Sequence, residues 1–274
     1  MTKRVKFISV AGVLGVMLGL TGLVAVENRL TVLLAVTSIS YVLSVWVLFE
    51  DLKGLEWITL MILPVMFTLG AGLFTNLLPD AVPNLLGLRF EIETAMVMAK
   101  VVKGLFVVFY ILGLYAIYLL ENIISVASIR TIQLLRAARS MGFVMTLVVS
   151  LFFFLVLLSL RLWFYWIGLI SAVVAFMLSY GHFWSIDIKD ESRRTVKLYA
   201  LSLAFLMGFL GLVMAFWPVK PLMGGLMMTV FFYTHLGILE NYLKYRSYGE
   251  SLVEYLVFGL IIFIIGFVTT SWRG

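Results

Sequence analysis

The sequence predicts an all-α protein, a polytopic bundle of about nine transmembrane helices, with a range of eight to ten. Of its 274 residues, 63% are apolar and only 12% are charged, whereas soluble domains are roughly 45–50% apolar and about a quarter charged. Long charge-free runs also recur along the whole chain. A soluble protein of this composition has too little polar surface to cover itself, so the lipid bilayer is expected to be its solvent.

Each span is placed where roughly 20 mainly apolar residues follow one another, because that length of helix crosses about 30 Å of hydrocarbon. The segments between these runs are too short for a soluble domain, so residues 1–274 are expected to form a single integral-membrane domain. Residues 76–102 are interpreted as an outer segment; if they dip into the membrane and return, the orientation holds, and if they span it, everything after them inverts. The predicted spans are 7–26, 30–49, 57–75, 103–121, 142–160, 162–181, 196–217, 221–239 and 253–271.

The orientation follows from the basic residues. With nine spans and a cytoplasmic N-terminus, most of the 20 lysines and arginines fall in the inner connections, as the positive-inside rule predicts. The C-terminus is then expected outside. The net charge of +6 is therefore interpreted as a topology signal, and no nucleic-acid partner is expected because no basic tract is dense enough to bind a duplex.

Small residues recur at helical spacing in the first and seventh spans. Such faces allow helix backbones to approach closely, which is what drives association in lipid. Both spans are expected to pack tightly against protein, either within the bundle or at an interface with a partner or a second copy. The residues are Gly12, Gly15, Gly19 and Gly22 in the first span, and Ala204, Gly208, Gly211 and Ala215 in the seventh.

Several kinds of active site are absent from the sequence. The chain has no cysteine, and therefore no thiolate nucleophile and no cysteine-bound metal. It also lacks a phosphate-binding loop, a zinc-protease histidine pair and a Gly-x-Ser-x-Gly elbow. Few charges fall inside the predicted spans, which disfavours ion-coupled transport. No catalytic residue, cofactor or metal is assigned, and the balance is against an enzyme.

The connection 121–141 is predicted to be an amphipathic helix lying in the membrane interface. Its arginines suit lipid phosphates, since a guanidinium binds two oxygens at once. A plain positive-inside linker and a surface for a partner remain the alternatives. The candidate lipid-binding residues are Arg130, Arg136 and Arg139, and Glu121 begins the segment as a candidate polar residue.

The stretch from Glu121-Asn122 through Ile129-Arg130-Thr131-Ile132-Gln133-Leu134-Leu135-Arg136-Ala137-Ala138-Arg139 resembles uncharacterised multi-pass membrane proteins of small-genome bacteria. The resemblance covers only about 20 residues with any specificity. It implies a location in a bacterial cytoplasmic (inner) membrane. It implies no catalytic residue, because that family has no assigned function.

The outer segment offers a second polar cluster. From Leu88 to Glu93 the residues alternate with strand period, which would place Arg89, Glu91 and Glu93 on one face. Paired carboxylates at a membrane surface can act as acid and base on a lipid-linked substrate, or bind a divalent cation. A solvated polar rim is the plainer alternative.

The two histidines form the third candidate. His182 ends the sixth span, and His235 lies in the eighth with Glu240 five residues further on. Five residues correspond to 500°, so His235 and Glu240 are not on one helical face. Histidines on different helices can bind haem or a metal if they face each other, and otherwise they are hydrogen-bonded bystanders.

These observations favour a non-catalytic scaffold or subunit of a membrane complex, with lipid binding as one form of that role. The expected partners are membrane lipids and, through the small-residue faces, a protein partner or a second copy. A carrier or flippase for a lipid or small amphiphile is one alternative, and it requires a polar cavity. An enzyme acting on a lipid-linked substrate is the other, and it requires Glu91, Glu93, His182 or His235 to converge on a pocket.

Overall fold

The computed structural model describes residues 2–49, 56–85, 88–89, 91–127, 134–186, 193–244 and 249–270. Within these residues the chain forms nine α-helices and a short antiparallel hairpin, β1 (Asn84–Leu85) with β2 (Leu88–Arg89). The helices are α1 (Lys3–Thr21), α2 (Val26–Leu48), α3 (Glu56–Thr75), α4 (Ile92–Ala127), α5 (Leu135–Ser159), α6 (Phe164–Ile186), α7 (Arg193–Phe216), α8 (Pro221–Leu243) and α9 (Gly249–Thr269).

The predicted helical bundle of about nine spans is confirmed. Helices α1 to α8 are long and apolar enough to cross a membrane, and Val253–Thr269 of α9 forms a shorter apolar helix. The prediction fails in the outer segment, where residues 92–102 are neither loop nor re-entrant turn but the first three turns of α4. The charged residues in this segment are typical of a loop. A helix needs an apolar run only where lipid surrounds it, so charged residues can also belong to a helix that extends beyond the bilayer.

Helix α4 is much longer than a bilayer requires. Its 36 residues extend over about 54 Å at 1.5 Å per residue, against a hydrocarbon thickness of about 30 Å. The first half of α4 is mostly exposed, with only Ala95 and Ala99 buried before Tyr110. From Tyr110 onward one face of the helix, including Leu114, Ile117 and Tyr118, is buried in the bundle. Helix α4 is therefore peripheral only over its first half, whereas α3 and α5 form the centre.

The packing pairs explain why α3 and α5 are central. Helices α1 to α4 contact one another on one side, and α5 to α8 do so on the other. The two groups meet where α3 contacts α5 and α6, and where α4 contacts α5. Helix α9 lies along α8 at the edge of the bundle.

Buried hydroxyl groups join α2, α3 and α4. The Thr68 hydroxyl lies 3.0 Å from that of Ser40 and 2.9 Å from that of Tyr110. The hydroxyls of Ser44 and Tyr118 lie 2.9 Å apart. Each bond of this kind between membrane helices contributes on the order of 1 kcal/mol, and its direction fixes the register of the helices it joins.

The two small-residue stripes lie in different surroundings. A Cβ added to Gly208 or Gly211 would lie 3.3 Å or 3.1 Å from a backbone oxygen of α6. In α1, Gly15 alone meets a close neighbour, the Ile111 side chain, and no described atom lies within 4 Å of a Cβ placed on Gly12. Gly19 and Gly22 are exposed. Within the described chain only part of the α1 stripe therefore packs against protein, and tight packing of the rest would require an interface with a partner or a second copy.

Candidate functional site

Helices α6 and α8 bring a histidine and a carboxylate together near the end of the bundle at which α1 begins. The Nε2 atom of His182 lies 2.8 Å from Oε2 of Glu240, and Lys244, one turn further along α8, pairs with Oε1. A carboxylate oxygen can only accept, so Nε2 carries the proton and Nδ1 carries none in the neutral ring. The His182 and Glu240 side chains are only 2% and 17% exposed, so this pair is shielded from water.

Sequence reasoning missed this pair because it considered each histidine with the residues near it in the chain. His182 was considered only as the end of the sixth span, and Glu240 was considered only with His235. A usable signal existed, since the sixth and eighth spans end on the same side of the membrane in the predicted topology. The polar residues of their last turns therefore share one level of the bundle.

Arg139 closes the C-terminal end of α6. Its Nε donates to the carbonyl oxygen of Ser185 at 3.1 Å, and its Nη2 donates to that of Ile186 at 2.9 Å. The last carbonyls of a helix lack partners within the helix, and a basic side chain there also interacts favourably with the helix dipole. Arg139 thus uses at least two of its guanidinium donors inside the protein, a role that the sequence did not predict.

The other parts of the connection 121–141 also differ from the predicted interfacial helix. Residues from Glu121 to Ala127 form the last turns of α4, and Glu121, Ile124 and Ser125 are buried in the bundle. They therefore face protein and not the membrane interface. Arg136 is exposed near the start of α5, and Arg130 lies outside the described residues.

A small cavity lies beside the His182–Glu240 pair. It has a volume of about 20 Å³ and lies among α3, α4, α5 and α6. This volume holds one water molecule, which needs about 10–15 Å³ by this measure. The polar residues that line it are Thr59, Glu121, Thr146, His182 and Ser185.

The outer carboxylates are far from these groups. Glu91 and Glu93 are exposed, and Glu93 lies in the first turn of α4. Glu121 lies on the same helix, about 42 Å away at 1.5 Å per residue. The strand alternation predicted from Leu88 to Glu93 ends at Arg89, whose side chain is outside the described part. Glu91 and Glu93 therefore do not converge with either histidine.

His235 lies in a separate groove between α8 and α9. The groove has a volume of about 460 Å³ and is lined by Phe231, Thr234, His235, Leu256, Gly259, Leu260 and Phe263. The His235 ring stacks on Phe231 with centroids 5.4 Å apart. Its Nδ1 lies 2.9 Å from the carbonyl oxygen of the same residue. The two histidines therefore belong to different sites, and no group of three or more metal-ligating side chains occurs among the described residues.

Comparison with known proteins assigns most of the chain to an uncharacterised family. No curated protein and no solved structure matches the chain significantly. A family model matches residues 29–269, from α2 through α9, and so includes both the cavity and the groove. The chain therefore belongs to the family described as protein of unknown function (DUF5656).

Proposed function

We propose that this protein is a non-catalytic integral-membrane protein that binds a lipid in the groove between α8 and α9. We place it in the inner membrane of a bacterium, with the N-terminus inside and the C-terminus outside. The observation that carries the proposal is the groove itself, a large and mainly apolar depression that contains one histidine.

The size and position of the groove suit a hydrocarbon chain. Its volume of about 460 Å³ falls within the range of about 300–1,000 Å³ typical of small-ligand sites. Leu256 and Leu260, which line it from α9, are 52% and 58% exposed. In an apolar bundle of this length such a surface faces lipid, so a lipid chain enters the groove sideways from the bilayer without crossing water.

His235 provides a polar contact for the bound lipid. A carbonyl oxygen can only accept, so the bond to Phe231 requires the proton on Nδ1. Nε2 is then an acceptor in the neutral ring, and no described side chain bonds to it. We therefore expect preference for a lipid that carries a hydroxyl or amide donor at this depth.

The rival functions find less support. The hypothesis of an enzyme that acts on a lipid-linked substrate required the outer carboxylates or the histidines to converge on one pocket. Glu93 lies tens of ångströms from His182, so these two residues do not share a pocket. A carrier needed a polar cavity among the helices that is large enough for its cargo, and the cavity beside His182 has a volume of only about 20 Å³. A larger polar depression of about 280 Å³ lies around Arg161 and Trp217, where α5 and α7 end, and not in the middle of the bundle. A site that only holds a lipid requires neither feature.

A role as a complex subunit is supported by open space beside two glycines. Nothing described lies within 4 Å of a Cβ built on Gly12 of α1 or on Gly104 of α4. Because α7 already uses its small residues against α6, a partner helix or a second copy would contact α1 and α4 instead.

Native mass spectrometry of the protein in mild detergent tests lipid binding. We expect wild type to retain a lipid, and Gly259→Leu to lose it because the leucine fills the groove next to Thr234. Gly104→Leu is the matched control, since it adds the same side chain to a helix glycine elsewhere, and it should retain the lipid. Wild type without lipid, or equal retention by both variants, would contradict the proposal.

The polar contact has its own test. His235→Leu should still bind a hydrocarbon chain, but it should lose the preference for hydroxyl-bearing over hydroxyl-free lipids in a competition between the two. The loss is expected to be about five- to tenfold, as for one hydrogen bond of about 1 kcal/mol. An unchanged preference would remove His235 from the site.

A further inference from the structure

Glu121 is a buried acid without a partner. It is only 5% exposed, and no described side chain forms a hydrogen bond or ion pair with it. An unpaired carboxylate in an apolar interior is strongly unfavourable, so the group must gain a proton or a positively charged ligand. Glu121 lines the small cavity together with His182.

The polar side chains that line this cavity offer mainly hydrogen-bond acceptors to a ligand. The Thr146 hydroxyl donates to the carbonyl oxygen of Gly142 at 2.8 Å, and the Ser185 hydroxyl donates to that of His182 at 2.7 Å. With their protons used in this way, both oxygens can only accept from a ligand in the cavity. A ligand that donates hydrogen bonds, such as water or a hydrated proton, matches this lining.

The charged groups on the surrounding helices are already engaged. On α6 and α8, His182 and Lys244 both bond to Glu240. On α5, Arg139 donates to the end of α6, while Arg136 is exposed. On α3, Glu56 is buried and has an interaction of its own, and so do Lys3 and Lys6 of α1.

From this arrangement we propose that Glu121 and His182 form a proton-binding site, joined by one water molecule in the cavity and connected to the cytoplasm through Glu240. When Glu121 releases its proton to the water, the water passes one of its own protons to Nδ1 of His182. The imidazolium then releases its Nε2 proton towards Glu240, the partly exposed end of the chain of groups. The water and His182 each gain one proton and lose one, so the net change is the transfer of one proton from Glu121 to Glu240, and His182 is left with its proton on Nδ1. Rotation of the ring and uptake of a new proton by Glu121 then restore the starting state.

A metal ion fits the cavity less well. Na⁺ and Ca²⁺ prefer several oxygen ligands, and Ca²⁺ takes six to eight. The side-chain oxygens available here are those of Glu121 and three hydroxyl residues, around a volume of about 20 Å³. The site is also independent of the α8–α9 groove, which lies on the other face of α8, so either proposal can fail without the other.

Reaction with dicyclohexylcarbodiimide tests the site, because this apolar reagent modifies carboxyl groups that are protonated in apolar surroundings. In the full-length protein in liposomes we expect an adduct on Glu121, identified by peptide mass spectrometry, that decreases as the pH is raised. Glu121→Gln should lose this adduct, and Glu93→Gln, which alters an exposed acid of the same helix, should keep it. No adduct on Glu121 in wild type at any pH would overturn the proposal, and this result does not depend on whether the variant folds.

Two further measurements separate proton from metal and test the path. Protection of Glu121 by NaCl but not by choline chloride at equal ionic strength would identify a cation site and overturn the proton site. In infrared difference spectra after a pH jump, Glu121→Gln should lose a protonated-carboxyl band. His182→Gln should keep that band but slow its response at least tenfold, and an unchanged rate would exclude His182 from the path.

Discussion

Helices α1 and α7 carry the same pattern of small residues at spacings of three and four, yet their surroundings differ. On α7, Gly208 and Gly211 lie against the backbone of α6, and Gly168 of α6 lies as close to α7 in return. On α1, Gly15 and Gly19 face Ile111 and Val107 of α4. Close approach therefore occurs where both helices present small residues, and β-branched side chains on the facing helix keep the backbones apart.

The largest effect should come from the α6–α7 contact. A Cβ on Gly211 would lie 2.7 Å from the Ser171 hydroxyl oxygen and 3.1 Å from the carbonyl oxygen of Ile167. Backbone cannot rotate away, so Gly211→Leu must separate the helices and should cost about 3 kcal/mol or more. Unfolding of the purified protein in mixed micelles, followed by tryptophan fluorescence, measures this cost. A loss below about 1 kcal/mol would show that the helices are not in close contact.

A smaller effect is expected at the one tight position of α1. A Cβ on Gly15 meets the side chain of Ile111 and no backbone atom. That side chain can change rotamer, so Gly15→Ala should cost only about 1 kcal/mol. Ile111→Ala in the same protein should remove the penalty, and a double-mutant cycle reports the coupling. Additive effects of the two changes would mean that these residues do not touch.

Gly12→Leu should leave the stability of the isolated protein almost unchanged. The leucine enters open space, and its better helix propensity offsets any loss by about 0.5–1 kcal/mol. If a partner helix packs on α1, the same variant should weaken co-purification of that partner while folding stays normal. A destabilisation as large as that of Gly211→Leu would show that the small-residue stripes of α1 and α7 do not differ in how tightly they pack.

The smallest effect concerns the loop before α4, the helix that faces α1. Lys103 donates to Asp80 at 2.6 Å, and this bond holds the pKa of the Asp80 carboxyl below its usual value. A depressed pKa in the folded state contributes stability above the unfolded pKa, and that stability is lost as pH falls through the folded value. Asp80→Asn should therefore remove a slight acid dependence below about pH 4, and salt should weaken it in wild type. Equal acid sensitivity of variant and wild type would contradict this.

The features that the sequence could predict are those that depend on the solvent of each segment. Charge-free runs identified each of the nine helices found in the described residues, because lipid accepts no unpaired backbone group, whatever the neighbours are. The predicted boundaries of the fourth span were wrong. Helix α4 continues beyond the bilayer, where hydropathy does not distinguish a helix from a loop. The prediction that 121–141 forms an interfacial helix was wrong for a related reason in the described residues of that segment. Amphipathic periodicity does not say whether the apolar face meets lipid or protein.

The candidate site depended on distances between helices far apart in the chain. Glu240 is 58 residues from His182, and Glu121 is brought to the same level only by the packing of α4 on α3 and α5. The sequence by itself determined a membrane bundle, its number of helices and the level of each polar residue along them, because hydrophobicity and helix rise are local properties. Tertiary structure alone decided that Glu121 is buried with no partner among the described residues, that Arg139 closes α6 and that His235 lies in a groove. These outcomes depend on which faces meet, and that depends on the shapes of both partners.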